Sequence, residues 1–338
     1  MGILPFMNTP RPLSLRRRSA LTWLGAAALP GVSGFASAQE RFPSRPIQLL
    51  VPFGPGGIAD LTARAVAEVM SQRLGQPIVV ENKPSAGSIV ASQAVASAKP
   101  DGHTLLLMSN GNAVSVGLFK KLPYDTQKAF AAISTLGYFD VGLFVPAGSR
   151  FASLRDVVAF AKANPGRLNV GTIAVGSTQQ LAAKLFETVA GVDALVVPYK
   201  GSPAVLTALR AGEIDLAFEI LGPMIPQVQA GVVKVLAVSS DKRNPALPDV
   251  PTVQQAGVAG YNVASWNALA APAGTPAEVI AALNRAAREA VASPAVQDRL
   301  GKLGMRLAAS TPAEQDALLA GEIKRWGDVI RAAKIEPE

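Results

Sequence analysis

The sequence predicts an α/β protein of two lobes, and three observations predict it. Short apolar runs alternate with helix-like stretches along most of the chain. The alternation occurs as two successive sets, joined by strand-like stretches that could cross between them. Of the 338 residues the first 38 read as an export signal, leaving 300, more than one domain usually holds.

In the first set, residues 47–53 are a continuous apolar run before a Gly-Pro loop, the pattern of a strand buried on both faces. Residues 59–74 have helical composition, and Gly75 with Pro77 stops them. Residues 78–80 are a second strand, and Pro100-Asp101-Gly102 turns into a third at 104–108. This βαβαβ rhythm implies a parallel sheet flanked by helices. In the second set, Ser153 with Asp156 resembles a capping box opening a helix that ends near Pro165-Gly166. Strands at 168–171, 195–198, 214–218 and 233–238 follow, with helices at 178–190 and 204–211. Near the C-terminus, Thr275-Pro276-Ala277-Glu278 and Thr311-Pro312-Ala313-Glu314 each place Thr at an N-cap, Pro at N1 and Glu at N3. Ser293-Pro294 opens a shorter helix between them, and the last helix continues past Trp326. Residues 136–145 and 264–272 are the candidate crossovers. If both cross, the first lobe is discontinuous, 39–140 plus 265–338, and the second is 141–264.

The first 38 residues carry Arg11, Arg16, Arg17 and Arg18 and no acidic residue. An apolar run over 20–29 and the small residues Ala36-Ser37-Ala38 follow, the order of a cleavable signal peptide. A membrane-spanning helix needs roughly twenty apolar residues, so cleavage after Ala38 is expected rather than anchoring. Arg17-Arg18-Ser19-Ala20-Leu21 also fits a loose twin-arginine pattern, and both export routes stay open. Removing the four arginines lowers the formal charge from +8 to +4. No Lys/Arg-dense block remains, which argues against a nucleic-acid partner. The chain has no Cys and one His, His103, which excludes disulfides, thiolate metal sites and multi-histidine metal sites. His103 sits in the turn Asp101-Gly102-His103 and reads as a turn residue rather than a base. No cofactor is expected.

Phe53-Gly54-Pro55-Gly56-Gly57 joins the first strand to the first helix, with Asp60 just inside that helix. Glycines let backbone approach a ligand, and a helix start offers unpaired N–H groups. The alternative is a tight βα turn. Thr172 and Gly176-Ser177-Thr178 bracket a second loop entering a helix, where Ser177 or Thr178 could cap or could also donate to a carboxylate. Two such loops facing each other would make an anion site without a cationic side chain. Lys200-Gly201 follows another strand, and Glu219 ends the strand at 214–218, as a cleft residue or a satisfied structural acid. Ser109 and Asn110, just after the third strand, complete the candidate set. A bulky residue at Gly56 or Gly57 is expected to abolish ligand binding and spare the fold.

The ordered motifs resemble the Bug/TctC family, the extracytoplasmic receptors of tripartite tricarboxylate transporters. They are Arg45-Pro46-Ile47 through Pro52-Phe53-Gly54-Pro55-Gly56-Gly57 with Asp60, then Val80-Glu81-Asn82-Lys83-Pro84 and Pro100-Asp101-Gly102. Val197-Pro198-Tyr199-Lys200-Gly201-Ser202, Ala211-Gly212-Glu213-Ile214-Asp215 and Ala271-Pro272-Ala273-Gly274-Thr275-Pro276 complete them. The resemblance implies a type II-like periplasmic binding protein, a Venus flytrap with two crossover strands, that works as a monomer. It implies a small carboxylate ligand (a di- or tricarboxylate, an acidic amino acid or an aromatic acid) and delivery to a small and a large membrane permease subunit. A sensory module acting through a sensor kinase is the alternative. An exported hydrolase is a third reading, opposed by the absence of Cys and of a G-x-S-x-G elbow. The chain departs from the family at Ser85-Ala86-Gly87-Ser88, where Gly-Ala-Gly-Gly is usual, and at Glu219-Ile220, where Asp-Asn is usual. It departs again after Trp266, where Asn267-Ala268 replaces a nearby Gly. The change at Glu219 argues against an amino-acid ligand.

Overall fold

The structure is a computed structural model that describes residues 42–332 and 335–337. The export-signal reading, with Arg17 and Arg18, lies outside the described residues. The chain runs β1 (Ile47–Val51), α1 (Ile58–Leu74), β2 (Ile78–Asn82), α2 (Ile89–Ala96), β3 (Thr104–Ser109) and α3 (Asn110–Leu118). A long strand, β4 (Phe130–Pro146), leads into α4 (Leu154–Ala163), β5 (Leu168–Ile173), α5 (Thr178–Ala190), β6 (Ala194–Tyr199) and α6 (Ser202–Ala211). Then come β7 (Leu216–Ile220), α7 (Leu221–Gln229) and β8 (Val233–Val238). β9 (Ala264–Pro272), α8 (Ala277–Ala292), α9 (Pro294–Gly301), β10 (Arg306–Leu307) and α10 (Pro312–Ala332) close it.

The strands form two lobes around one shared strand. In the first lobe the order is β2-β1-β3-β9-β4, with β10 on the far side of β4. β1 is parallel to β2 and β3, whereas β9 runs antiparallel to both β3 and β4. In the second lobe β5 is parallel to β6 and β7, and β4 pairs antiparallel with β7 and β8. β4 changes partner between Asp140, opposite Ala264 of β9, and Val141, opposite Ile220 of β7. It is buried along nearly its whole length, which explains its mostly apolar sequence, broken by the buried Ser134, Thr135 and Asp140.

The return path between the lobes begins earlier than β9. Among the described residues β9 pairs only with β3 and β4 of the first lobe. The segment from 239 to 263 carries the chain back. It is fastened to β4 at the waist by Ser239, whose hydroxyl accepts from Val141 N (3.1 Å) and donates to Val263 O (2.5 Å). Asn244 Nδ2 donates to Asp140 Oδ2 (2.8 Å) beside it.

Local signals explain most helix ends. α1 stops at Gly75, whose left-handed backbone (φ 72) returns its N–H to Ser71 O. Ser153 and Asp156 form the capping box of α4 that the sequence suggests. Ser153→Ala is expected to lower stability by about 1 kcal/mol, as a urea midpoint shift with unchanged slope. The two Thr-Pro-Ala-Glu motifs part company. Thr311 and Glu314 make a reciprocal capping box at the start of α10. At α8 the N-cap is Pro276, because the Thr275 hydroxyl is engaged by Pro272 O (2.7 Å) in the turn leaving β9. The sequence reading of Thr275 as N-cap is therefore corrected: a tertiary turn outcompetes the helix for its hydroxyl.

Candidate functional site

Three helix starts meet on one cavity of about 40 Å³ that both lobes wall. From the first lobe come Gly57, Ile58 and Ala59 at the start of α1. From the second come Thr178 and Gln179 at the start of α5, and Ser202 at the start of α6. An α-helix leaves its first N–H groups without intrahelical partners. α1 and α6 begin at Gly57 and Gly201 with no capping side chain, which leaves first-turn N–H groups of α1 for a ligand and, at α6, the Ser202 N–H, since Pro203 has none and Ala204 N donates to Gly201 O (3.0 Å). Phe53, Phe139, Ile173 and Ile220 supply apolar wall, and Ser109, Ser265 and Asn267 supply polar wall. Among the described residues no Lys, Arg or His borders the cavity.

The lobes touch around it. Asn110 Nδ2 donates to Thr178 Oγ1 (3.0 Å), and the Thr178 and Ser265 hydroxyls lie 2.9 Å apart. Gly87 N donates to Val175 O (3.1 Å) where the loop before α2 meets the loop before α5. Gly176 makes that approach possible, since a Cβ there would come within 3.1 Å of Gly87 Cα.

Of the sequence candidates, Phe53, Gly57, Ser109 and Thr178 border this cavity. Gly54, Lys200 and Gly201 border an adjoining crevice of about 30 Å³ that shares Phe53, Gly57, Ile173 and Ser202 with it. The rest stand behind or outside. Pro55 and Gly56 are exposed. Asp60 is buried and holds the loop, accepting from Gly56 N (3.0 Å) and Arg64 Nε (2.9 Å). Burial alone would raise its pKa, but Arg64, the Gly56 N–H and Asn82 together hold it below the usual carboxylate value. Asn110 lies behind Thr178, its Oδ1 accepting from Trp326 Nε1 (2.8 Å). Ser177 caps α5, accepting from Gln180 N and donating to Ile173 O. Thr172 is buried, and Gly176 belongs to the interlobe contact.

Glu219 is wholly buried behind Gln179 and Ile220. Its Oε1 accepts from Gln179 Nε2 (2.8 Å) and Ile220 N (2.7 Å). The Ser202 hydroxyl is near enough to favour the ionised form, yet Oε2 has no partner at hydrogen-bond geometry. Desolvation outweighs all three and pushes the pKa up to about 7.

The site residues named from sequence leave out Ile58, Ala59, Phe139, Ile173, Gln179, Ser202, Ile220, Ser265 and Asn267 of the cavity wall. Ser265 and Asn267 did leave a signal: two polar residues at a spacing of two inside an otherwise apolar strand, which marks one face of it as different. His103 is a buried turn residue whose Nε2 accepts from Ser44 N (3.3 Å), with its ring edge-on to Phe42. Among the described residues no group of three or more His, Asp and Glu side chains is placed to hold a metal ion, and no helix is long and apolar enough to cross a membrane.

Comparison with known proteins agrees with this architecture. A family model described as "Tripartite tricarboxylate transporter family receptor" matches residues 62–335. The fold superposes on the periplasmic binding protein BugD with a TM-score of 0.84 and 30% identity, covering 88% of this chain and 100% of that one. It superposes on a protein of R. palustris with adipate (TM-score 0.84, 32% identity, 88% and 100% covered). It also superposes on MatC of Rhodopseudomonas palustris with bound malate (TM-score 0.81, 34% identity, 86% and 100% covered). With its two lobes, its interlobe cavity and a family match across most of its length, the chain belongs to the receptor family of tripartite tricarboxylate transporters.

Proposed function

We propose that this protein captures a small carboxylate in the periplasm, between a lobe of residues 39–140 plus 265–338 and a lobe of residues 141–264. It then delivers the ligand to a permease with one small and one large membrane subunit. The observation that carries the reading is the convergence of the α1, α5 and α6 starts on one cavity walled by both lobes. Backbone N–H groups at a helix start carry partial positive charge and suit a carboxylate without a cationic side chain. Lys200, in the adjoining crevice, adds positive charge without bordering the cavity itself. The ligands named for the two R. palustris relatives, adipate and malate, are both dicarboxylates.

The cavity lies between the lobes, so capture proceeds by their parting about the waist at β4 and Ser239 and reclosing on the ligand. Thermal unfolding of the purified protein against a panel of carboxylic acids, malate and adipate included, tests the reading. A binding acid at a hundred times its Kd stabilises the native state by about 2.7 kcal/mol, a rise of several degrees. A panel in which no acid raises the melting temperature would overturn the carboxylate assignment.

A further inference from the structure

The cavity wall holds one side chain whose hydrogen-bonding capacity is wholly unused. Asn267 is 0% exposed, and neither its Oδ1 nor its Nδ2 has a partner among the described residues. Burying an unpaired amide costs stability, so such groups in native proteins call for a reason.

Register fixes the direction of this amide. Ser109 of β3 lies opposite Asn267, and Phe139 of β4 lies opposite Ser265. Ser265 and Asn267 are two residues apart on β9 and share a face. The Ser265 hydroxyl meets Thr178 of the second lobe, so that face is the one turned to the cleft. All four of these first-lobe residues border the cavity.

The charge of the surroundings limits what the amide can meet. The helix starts can hold one carboxylate. A second carboxylate would find no Lys, Arg or His among the described residues of the wall. A carboxylate is also acceptor-only, so it would satisfy Asn267 Nδ2 and oppose Oδ1. A primary carboxamide presents a donor and an acceptor side by side, and it matches both atoms at once. The apolar wall formed by Phe53, Phe139, Ile173 and Ile220 suits a short hydrocarbon chain between the two ends.

We infer that Asn267 is a specificity residue pairing with an uncharged carboxamide, so that this receptor takes the monoamides of short dicarboxylic acids in preference to the diacids. The inference rests on the carboxylate reading above and names the ligand's other end.

Calorimetric titration of the purified protein with matched pairs tests it: succinate and succinamate, glutarate and glutaramate, adipate and adipamate. The monoamide of at least one pair binds at least about tenfold more tightly than its diacid, the discrimination expected when a buried polar group is matched rather than left unpaired. Asn267→Leu keeps the volume and removes the two unpartnered atoms. It brings that ratio to about one and leaves the melting temperature of the unliganded protein unchanged or higher. Diacids that bind as tightly as their monoamides in every pair overturn the inference and leave the carboxylate reading standing. So does binding by other acids of the thermal panel with no member of any pair bound. No binding by any acid overturns both. A lowered melting temperature of unliganded Asn267→Leu shows that Asn267 serves the fold, and it too overturns the inference.

Discussion

Replacing Glu219 with Gln makes the protein more stable above pH 7, by up to about 3 kcal/mol, and flattens its stability between about pH 4.5 and 7. The carboxyl is fully buried, and desolvation raises its pKa from 4.5 to about 7 despite hydrogen bonds from Gln179 and Ile220. Within that window the folded chain holds a proton that the unfolded chain has released. Stability therefore falls as the pH rises through the window, and the whole loss is present above it. Gln keeps an acceptor for both donors and cannot ionise, so the cost disappears. Urea unfolding at pH 5 and pH 8 measures it: the two proteins should nearly coincide at pH 5 and separate at pH 8. Equal midpoints at pH 8 would mean that the carboxylate ionises without penalty in the folded state.

Replacing Gly57 with Leu is expected to weaken ligand binding by more than about a hundredfold while the protein stays folded. Gly57 has an extended backbone (φ −83, ψ 169) that any residue adopts. A Cβ there would meet only the Ser202 hydroxyl, at an ordinary 3.6 Å. The rest of a leucine has nowhere to go but the space between the α1 and α6 starts, where the ligand belongs. Gly56 behaves in the opposite way. It is exposed and left-handed (φ +81), so Gly56→Leu costs about 1–2 kcal/mol of stability and leaves affinity nearly intact. The two neighbouring glycines, alike to sequence reading, separate here because one needs its conformation and the other its emptiness. Titration of both variants with a binding acid from the thermal panel, beside their melting temperatures, checks the contrast. Retained affinity in Gly57→Leu would remove the α1 start from the site.

Elements whose signals are local were legible in advance. Residues 178–190 and 233–238 form α5 and β8 with the expected limits. Gly75, Ser153 and Ser293 end or begin helices through backbone and hydroxyl geometry within a few residues. α2, α3 and α7 were not expected. α2 and α3 are mostly apolar or small residues with little amphipathic contrast, and α7 contains Pro226. Their helicity follows from packing, which a local pattern does not record.

By itself the sequence determined the α/β rhythm, the two-lobed organisation and the glycine-started helices, because periodicity, caps and turns act over a few residues. It also excluded disulfides, thiolate sites and multi-histidine metal sites, with no Cys and one His placed in a turn. Only the tertiary structure decided which helix starts share a cavity, that β4 serves both lobes, and that Glu219 and Asn267 are buried with unused hydrogen-bonding atoms. The physical reason is that desolvation and the absence of a partner depend on everything packed around a group. For Asn267 those surroundings come from β3, β4 and a lobe more than eighty residues away in the chain, contacts that no local spacing encodes.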